Sequence, residues 1–205
     1  FMGTAAVPGL ISCVSGINPF PVSVECDEKV FQPVRRFCET LARSWASPGK
    51  LGLEHRIGDI EKDYDSGHIS YDPQNHQRMT DVRADKINRI ADCSPPQTVE
   101  LGPESGRLAV VGWGSTYGPI NRAVDNILGE GSEVSQIHLR NIWPLARNLG
   151  ELLAGFERVL VPEMNAGQLV TLLRSEFLVD AEGFNKVTGQ PFKISELEDA
   201  IRARL

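Results

Sequence analysis

Where the apolar run Val159 to Val161 gives way to polar residues, the chain offers a carboxylate, two amides and a guanidinium: Glu163, Asn165, Gln168 and Arg174. At a strand end such groups could bind a polar substrate or clamp a neighbouring subunit through hydrogen bonds. Asn165 could equally be a helix N-cap, satisfying NH groups near Gln168. A second cluster follows an earlier apolar run. There Gly112, Trp113, Gly114, Ser115, Thr116, Tyr117 and Gly118 lead to Pro119, a favourable residue for a helix's first turn. Free backbone NH groups at a helix start favour an anion, which makes Gly112, Gly114, Ser115, Thr116 and Gly118 a candidate anion-binding turn. The alternative is a tight strand-to-helix turn that needs small residues for packing. The spacing matches neither the dinucleotide fingerprint nor the P-loop.

His55, His68 and His76 lie among Glu54, Asp59, Glu61, Asp63, Asp65 and Asp72. No two of these histidines lie one helical turn apart, so a solvated polar segment is expected and no metal site. Ser115 lacks the Gly-x-Ser-x-Gly elbow, and hydrolase chemistry has no support. Cys13, Cys26, Cys38 and Cys93 contain no Cys-x-x-Cys pair. Iron–sulfur ligation wants clustered thiolates, so reduced, structural thiols of a cytoplasmic protein are expected.

Elements that would position these groups follow from periodicity. Leu108, Ala109, Val110 and Val111 form a short continuous apolar run that suits a strand covered on both faces. Ile120, Val124, Ile127 and Leu128 give one face of the next helix, which Gly129 and Gly131 end. Strands are predicted over 134–139 and 159–161, and helices over 149–156 and 167–178. A final helix over 195–205 has Ser195 as N-cap and Glu198 completing a capping box. The pattern is α/β, a parallel-sheet βαβαβα domain preceded by an irregular arm. Three pieces are expected: an irregular arm over 1–50 with one short helix at 34–45, a polar connecting segment over 51–107, and the α/β domain over 108–205. In the connecting segment Asp63, Asp65, Ser66 and Gly67 mark a turn, residues 79–90 have helical spacing, and 92–106 is a proline-bearing linker.

With 205 residues, 41% hydrophobic and 23% charged, the chain is long enough for one domain and an extended arm. A formal charge of −6 speaks against nonspecific nucleic-acid binding, which needs clustered Lys and Arg. The apolar stretch near the start is interrupted by Pro8, Gly9 and Gly16 and lacks a basic flank, so neither a signal peptide nor a membrane span is expected.

Four stretches in order resemble the C-terminal part of the α subunit of 2-oxoacid:ferredoxin oxidoreductases, most closely the 2-oxoglutarate type: VVGWGSTYGPI (110–120), HLRNIWPLARNLGELL (138–153), VLVPEMNAGQLVTLLR (159–174) and NKVTGQPF (185–192). Upstream, residues 39–49, 54–62, 67–79 and 82–90 look like the same subunit, so the resemblance covers roughly the last four-fifths of the chain. It implies a domain similar to the C-terminal domain of transketolase, with a nucleotide-binding shape that does not hold the thiamine cofactor. It also implies oxidative decarboxylation of a 2-oxoacid to an acyl-CoA, with thiamine diphosphate and magnesium bound in the assembled enzyme and not by this chain alone. An iron–sulfur cluster would sit on another subunit. The implied partners are the β subunit, ferredoxin, coenzyme A and the 2-oxoacid. Within the matching EHRIG stretch, His55 and Arg56 become candidates to meet an anionic group brought by another domain. Residues 1–26 depart from the family, and its pyrimidine-binding motif is absent. The sequence therefore reads as a fragment or as a chain with a diverged or misread start. A noncatalytic subunit-interaction module is the alternative.

Overall fold

Alternation along the apolar run at 108–111 decides the architecture. Leu108 and Val110 point to one side of the sheet, Ala109 and Val111 to the other, and all four are buried. Each side has its own core, so the sheet is covered by helices on both faces. The structure, a computed structural model, describes residues 35–43, 49, 51–56, 58 and 60–205. Of the arm expected over 1–50, residues 1–34, with Cys13 and Cys26, 44–48 and 50 lie outside the described residues. The chain divides into two compact units, one up to Ser94 and one over Pro95–Leu205.

The second unit holds a five-stranded sheet. Its strands are β1 (Val99–Leu101), β2 (Gly106–Trp113), β3 (Val134–Leu139), β4 (Phe156–Glu163) and β5 (Ala181–Asn185), in the order β1-β3-β2-β4-β5. All neighbours run parallel except β1, which pairs antiparallel with β3. The strands and helices predicted within 108–205 are all present. The sheet gains two edge strands that periodicity did not reveal: β1 lies inside the supposed linker, and β5 follows the third predicted helix.

The helices of this unit are α2 (Tyr117–Gly129), α3 (Leu149–Ala154), α4 (Gln168–Phe177) and α5 (Ile194–Arg202). One core places Leu108, Val110, Val134 and Leu160 against Ile120, Val124 and Ile127 of α2 and Leu197 and Ile201 of α5. The other places Ala109, Val111, Ile137 and Val161 against Leu149 and Leu153 of α3 and Leu169, Val170 and Leu173 of α4. Burying a large aliphatic side chain contributes about 1.5–3 kcal/mol, so these two layers dominate the unit's stability. The final helix is capped at Lys193, two residues before the expected Ser195. Its first-turn carboxylate is Glu196, which accepts from the Lys193 backbone NH at 2.8 Å and from Lys186 Nζ at 2.7 Å, while Glu198 accepts from Asn126 Nδ2 of α2.

In the first unit, α1 (Pro73–Asn88) is capped by Asp72, whose Oδ2 accepts from the Asn75 NH at 2.9 Å, and Pro73 opens it. The expected turn at 63–67 is present. Asp63 Oδ1 accepts from the NH and Oγ of Ser66, both at 2.7 Å, and Lys62 bridges antiparallel to Ile69. Buried Asn75 ties this hairpin to α1 through the Lys62 carbonyl at 3.0 Å and the Tyr64 NH at 3.1 Å. The helix predicted over 34–45 is not what residues 35–43 form. They make a tight turn closed by an Arg36–Arg43 bridge, with Leu41 at φ 55°. A left-handed residue inside that run is incompatible with a continuous helix.

Candidate functional site

Strands β2 and β4 are neighbours, yet their connections leave in opposite directions, β2 towards β3 and β4 towards β5. The crevice beyond their carboxyl ends is the place where open α/β sheets bind ligands. Paired register between them runs from Gly106 with Phe156 to Val110 with Leu160. Beyond it the gap is spanned by side chains. Trp113 ends β2 and donates its Nε1–H to Glu163 Oε1 at 3.4 Å.

Glu163 ends β4 and is fully buried. Its Oε1 also accepts from Asn165 Nδ2 at 3.1 Å and from the Leu169 NH at 2.9 Å, and its Oε2 accepts from the Val170 NH at 3.1 Å. A carboxylate beneath the first turn of α4 meets both the unsatisfied NH groups and the positive end of the helix dipole. Asn165 completes the cap, its Oδ1 accepting from the NH groups of Gly167 at 2.8 Å and Gln168 at 3.1 Å. Gly167 makes this turn at φ 93°, and a Cβ there would come within 2.9 Å of Asn185 Nδ2. Glu163, Asn165 and Gln168 thus come together as a helix cap, with only Gln168 exposed. Arg174 is exposed near the other end of α4, outside this cap. Of the roles weighed for Asn165, the geometry is that of the capping residue. Glu163 presents no polar atom to the surface.

The glycine turn is built around Thr116, which sequence reasoning grouped only as a possible anion contact. Its Oγ1 donates to the Trp113 carbonyl at 2.8 Å and accepts from the Trp113 NH at 3.1 Å, and the residue is buried. Gly112 is packed tightly, since a Cβ would lie 2.4 Å from Ile120 Cδ1 and 2.9 Å from Thr116 Oγ1. Gly114, Ser115 and Gly118 are exposed. Buried Gln136 on β3 fixes the start of α2, donating to the Tyr117 carbonyl at 3.4 Å and accepting from Asn121 Nδ2 at 2.8 Å.

His138, beside Gly112 in the β2–β3 register, was not among the candidates. Its Nδ1 is buried without a hydrogen-bond partner, and its ring meets Tyr117 edge-on at 4.9 Å. Burial, assisted by Arg140 and opposed by Glu100, holds the imidazole pKa below its usual value. The signal that could have found it is its place at the carboxyl end of a strand facing a glycine turn. His55 and Arg56 are exposed in the other unit, where His55 Nδ1 lies 2.9 Å from the Leu53 carbonyl oxygen. Cys38 and Cys93 are free and exposed, and no cluster of three metal-ligating side chains occurs among the described residues. No helix among them is long and apolar enough to cross a membrane.

The strand-end crevice is therefore occupied by the chain's own indole and carboxylate. Over 97% of its length the chain is 41% identical to the 2-oxoglutarate oxidoreductase subunit KorA of Mycobacterium tuberculosis. The chain is related to the C-terminal portion of 2-oxoacid:ferredoxin oxidoreductase α subunits. A 2-oxoacid:ferredoxin oxidoreductase α subunit of Aeropyrum pernix is 32% identical over 75% of the chain. The chain spans 30% of the first of these relatives and 25% of the second. In fold, the 2-oxoglutarate:ferredoxin oxidoreductase of Magnetococcus marinus, whose structure holds 2-oxoglutarate, coenzyme A and succinyl-CoA, superposes with a TM-score of 0.77 at 24% identity. That match covers 85% of this chain and 30% of the other. No protein-family model matches the chain. The structural match agrees with the mostly parallel α/β sheet.

Proposed function

We propose that the chain supplies the C-terminal part of the α subunit of a cytoplasmic, thiamine diphosphate-dependent 2-oxoglutarate:ferredoxin oxidoreductase, an assembly that converts 2-oxoglutarate and coenzyme A to succinyl-CoA and carbon dioxide while reducing ferredoxin. The observation that carries the reading is the identity of 41% across 97% of the chain to a 2-oxoglutarate oxidoreductase subunit. In this reading the chain has a scaffolding part in that assembly. Glu163 and Trp113 fill the crevice at the β2–β4 strand ends, and Gly112 has no room around its Cα for a bulkier neighbour. The described residues therefore do not fit a diphosphate at that place, and no catalytic step is assigned to them through the cofactor. Thiamine diphosphate, magnesium and the iron–sulfur cluster belong in this reading to the rest of the α subunit and to the β subunit.

The chain's own contribution is rigidity and surface. Glu163 and Asn165 fix the entry of α4, and exposed Gln168 and Arg174 on that helix offer hydrogen bonds and charge to a partner subunit. His55 and Arg56, exposed in the other unit, would in this reading meet an anionic group brought by another domain. The filled crevice also favours the second reading, a noncatalytic interaction module. One assay separates the two: reduction of a viologen dye that depends on 2-oxoglutarate and coenzyme A, with thiamine diphosphate and magnesium present. The chain with the β subunit alone should be silent. Turnover should appear when the preceding part of the α subunit is supplied as well. Assembly without turnover under that last condition would leave the interaction module.

A further inference from the structure

Exposed apolar side chains of the second unit gather on one edge of its sheet. Trp113 lies beside Leu139 in the β2–β3 register, Glu163 lies beside Asn185 in the β4–β5 register, and the Trp113 indole reaches Glu163. The carboxyl ends of four parallel strands therefore stand level, in the spatial order β3, β2, β4, β5. At the usual distance between strands they form a row roughly 15 Å long. The chain leaving these ends carries Trp143, Tyr117, Met164 and Val187 in the same order, and Ile194 opens α5 after the last of them. All five are exposed, Trp143 to 57%. Tyr117 is held at this edge by its contact with the His138 ring of β3. Elsewhere in this unit Leu178, at the opposite edge, is the one large apolar side chain left exposed among the described residues.

The connections at the two edges differ in charge. Residues 114–116, 140–148, 164–167 and 186–193 join the strand ends to the following helices, and they contain Arg140, Arg147, Lys186 and Lys193 but no Asp or Glu. At the opposite edge residues 102–105, 130–133 and 178–180 contain Glu104, Glu130, Glu133 and Asp180 but no Lys or Arg. A chain of formal charge −6 thus places cations where it exposes its aromatic residues. Lys186 is engaged by Glu196 at 2.7 Å. Arg140 makes a longer ion pair with Glu100, at 3.7 Å, and its side chain stays 78% exposed. Aromatic residues, Met and Arg are the types enriched where folded proteins meet, and Asp and Glu are depleted there. An apolar patch with a polar rim marks such a contact, and a cationic rim selects an acidic surface to cover it. A second copy packed edge to edge would bring the same cations together, so the complement is a different chain.

We infer that the carboxyl edge of the sheet is the docking face for a partner subunit, and that the partner covers it with a surface of apolar centre and acidic rim. Trp143, Tyr117 and Met164 fill that centre, and Arg140 pairs with a carboxylate of the rim. The partner's identity rests on the oxidoreductase reading, in which it is the β subunit.

The test is sedimentation velocity of the 205-residue chain with the β subunit, with the preceding part of the α subunit, and with both, at about 50 and about 500 mM sodium chloride. Wild-type chain should enter a complex with the β subunit that weakens at the higher salt. Arg140→Glu and Trp143→Ser should each weaken it about tenfold, and Arg140→Gln by less. Arg107→Glu, a charge reversal at the exposed start of β2 on the opposite edge, should change it by no more than about twofold. All four variants should melt within a degree or so of wild type, because the replaced side chains are exposed. A β complex unchanged by Arg140→Glu and Trp143→Ser would overturn the docking face and leave the oxidoreductase reading standing. So would substitutions that abolish binding to the preceding part of the α subunit, or self-association, while sparing β. Wild-type chain that joins no complex in any of the three mixtures would instead overturn the oxidoreductase reading, and the β subunit as partner with it.

Discussion

Glu163 shows how a residue that looks chemical in sequence can be spent on structure. A buried acid at the end of a strand, beside Asn165 and Gln168, has the composition of a polar binding site. What sequence does not reveal is the direction of its carboxylate, which depends on where α4 begins. Its oxygens receive four donors, two of them backbone NH groups of Leu169 and Val170. Replacing it with alanine orphans those buried donors, and we expect a loss of about 3 kcal/mol in chemical denaturation. Glu163→Gln keeps an acceptor for some of them but turns an NH2 towards another donor, and should lose about half as much. If both variants stayed within about 0.5 kcal/mol of wild type, the capping account would be wrong. His138 gives a second measurement at this scale. Its imidazole pKa is depressed mainly by burial, so NMR titration should place its midpoint below 6.5, with the ring neutral at pH 7. Folding then favours the neutral form, and the associated stability is complete above the unfolded value and lost as pH falls through the folded one. A midpoint at or above 6.5 would mean that the ring is not shielded as described.

Elements with strong periodicity were legible and those without it were not. Val110 and Val111, Ile120 to Leu128 and Leu169 to Leu173 reveal their strands and helices because apolar faces on both sides of a sheet leave little choice. Strand β1 has only three residues, all half-buried, between prolines and a glycine turn, and carries no such pattern. Strand β5, with the sequence AEGFN, is an edge whose Glu182 and Asn185 are exposed. The start of α1 was legible in principle, from Asp72 followed by Pro73, but its low apolar content hid it behind the spacing of later residues. The last helix, α5, is docked by ion pairs as well as by its apolar face. Arg202 pairs with Glu130 at 2.7 Å, Lys186 with Glu196 at 2.7 Å, and Arg204 with Glu182. Hydrogen bonds from these cations hold the pKa values of Glu130, Glu196 and Glu182 below the ordinary carboxylate value. Their contribution is therefore complete above about pH 4.3, the unfolded value, and disappears as pH falls through the depressed one. Hydrogen exchange should show α5 losing protection on acidification before β2 and β4 do. Equal loss across all three would refute a separate electrostatic docking of α5.

For the molecule, motifs such as VVGWGSTYGPI and VLVPEMNAGQL carried the resemblance before any coordinates, and their residues form the tightly packed strand ends of β2 and β4. Within those motifs the side chains of Thr116, Glu163 and Asn165 are used up within the fold. The chain spans 30% of the length of its Mycobacterium tuberculosis relative. If the proposed function holds, the exposed end of α4 is a place to perturb assembly with partner subunits. Arg174→Glu should leave the melting temperature within a degree or so of wild type, since surface substitutions of this kind shift stability by about 0.5 kcal/mol or less. It should still weaken binding to partner subunits roughly tenfold. The decisive measurement is sedimentation of the purified chain mixed with the preceding part of the α subunit and the β subunit. We expect one complex containing all three, weakened by Arg174→Glu. A chain that sediments alone in that mixture would contradict its assignment as the C-terminal scaffold of the oxidoreductase α subunit.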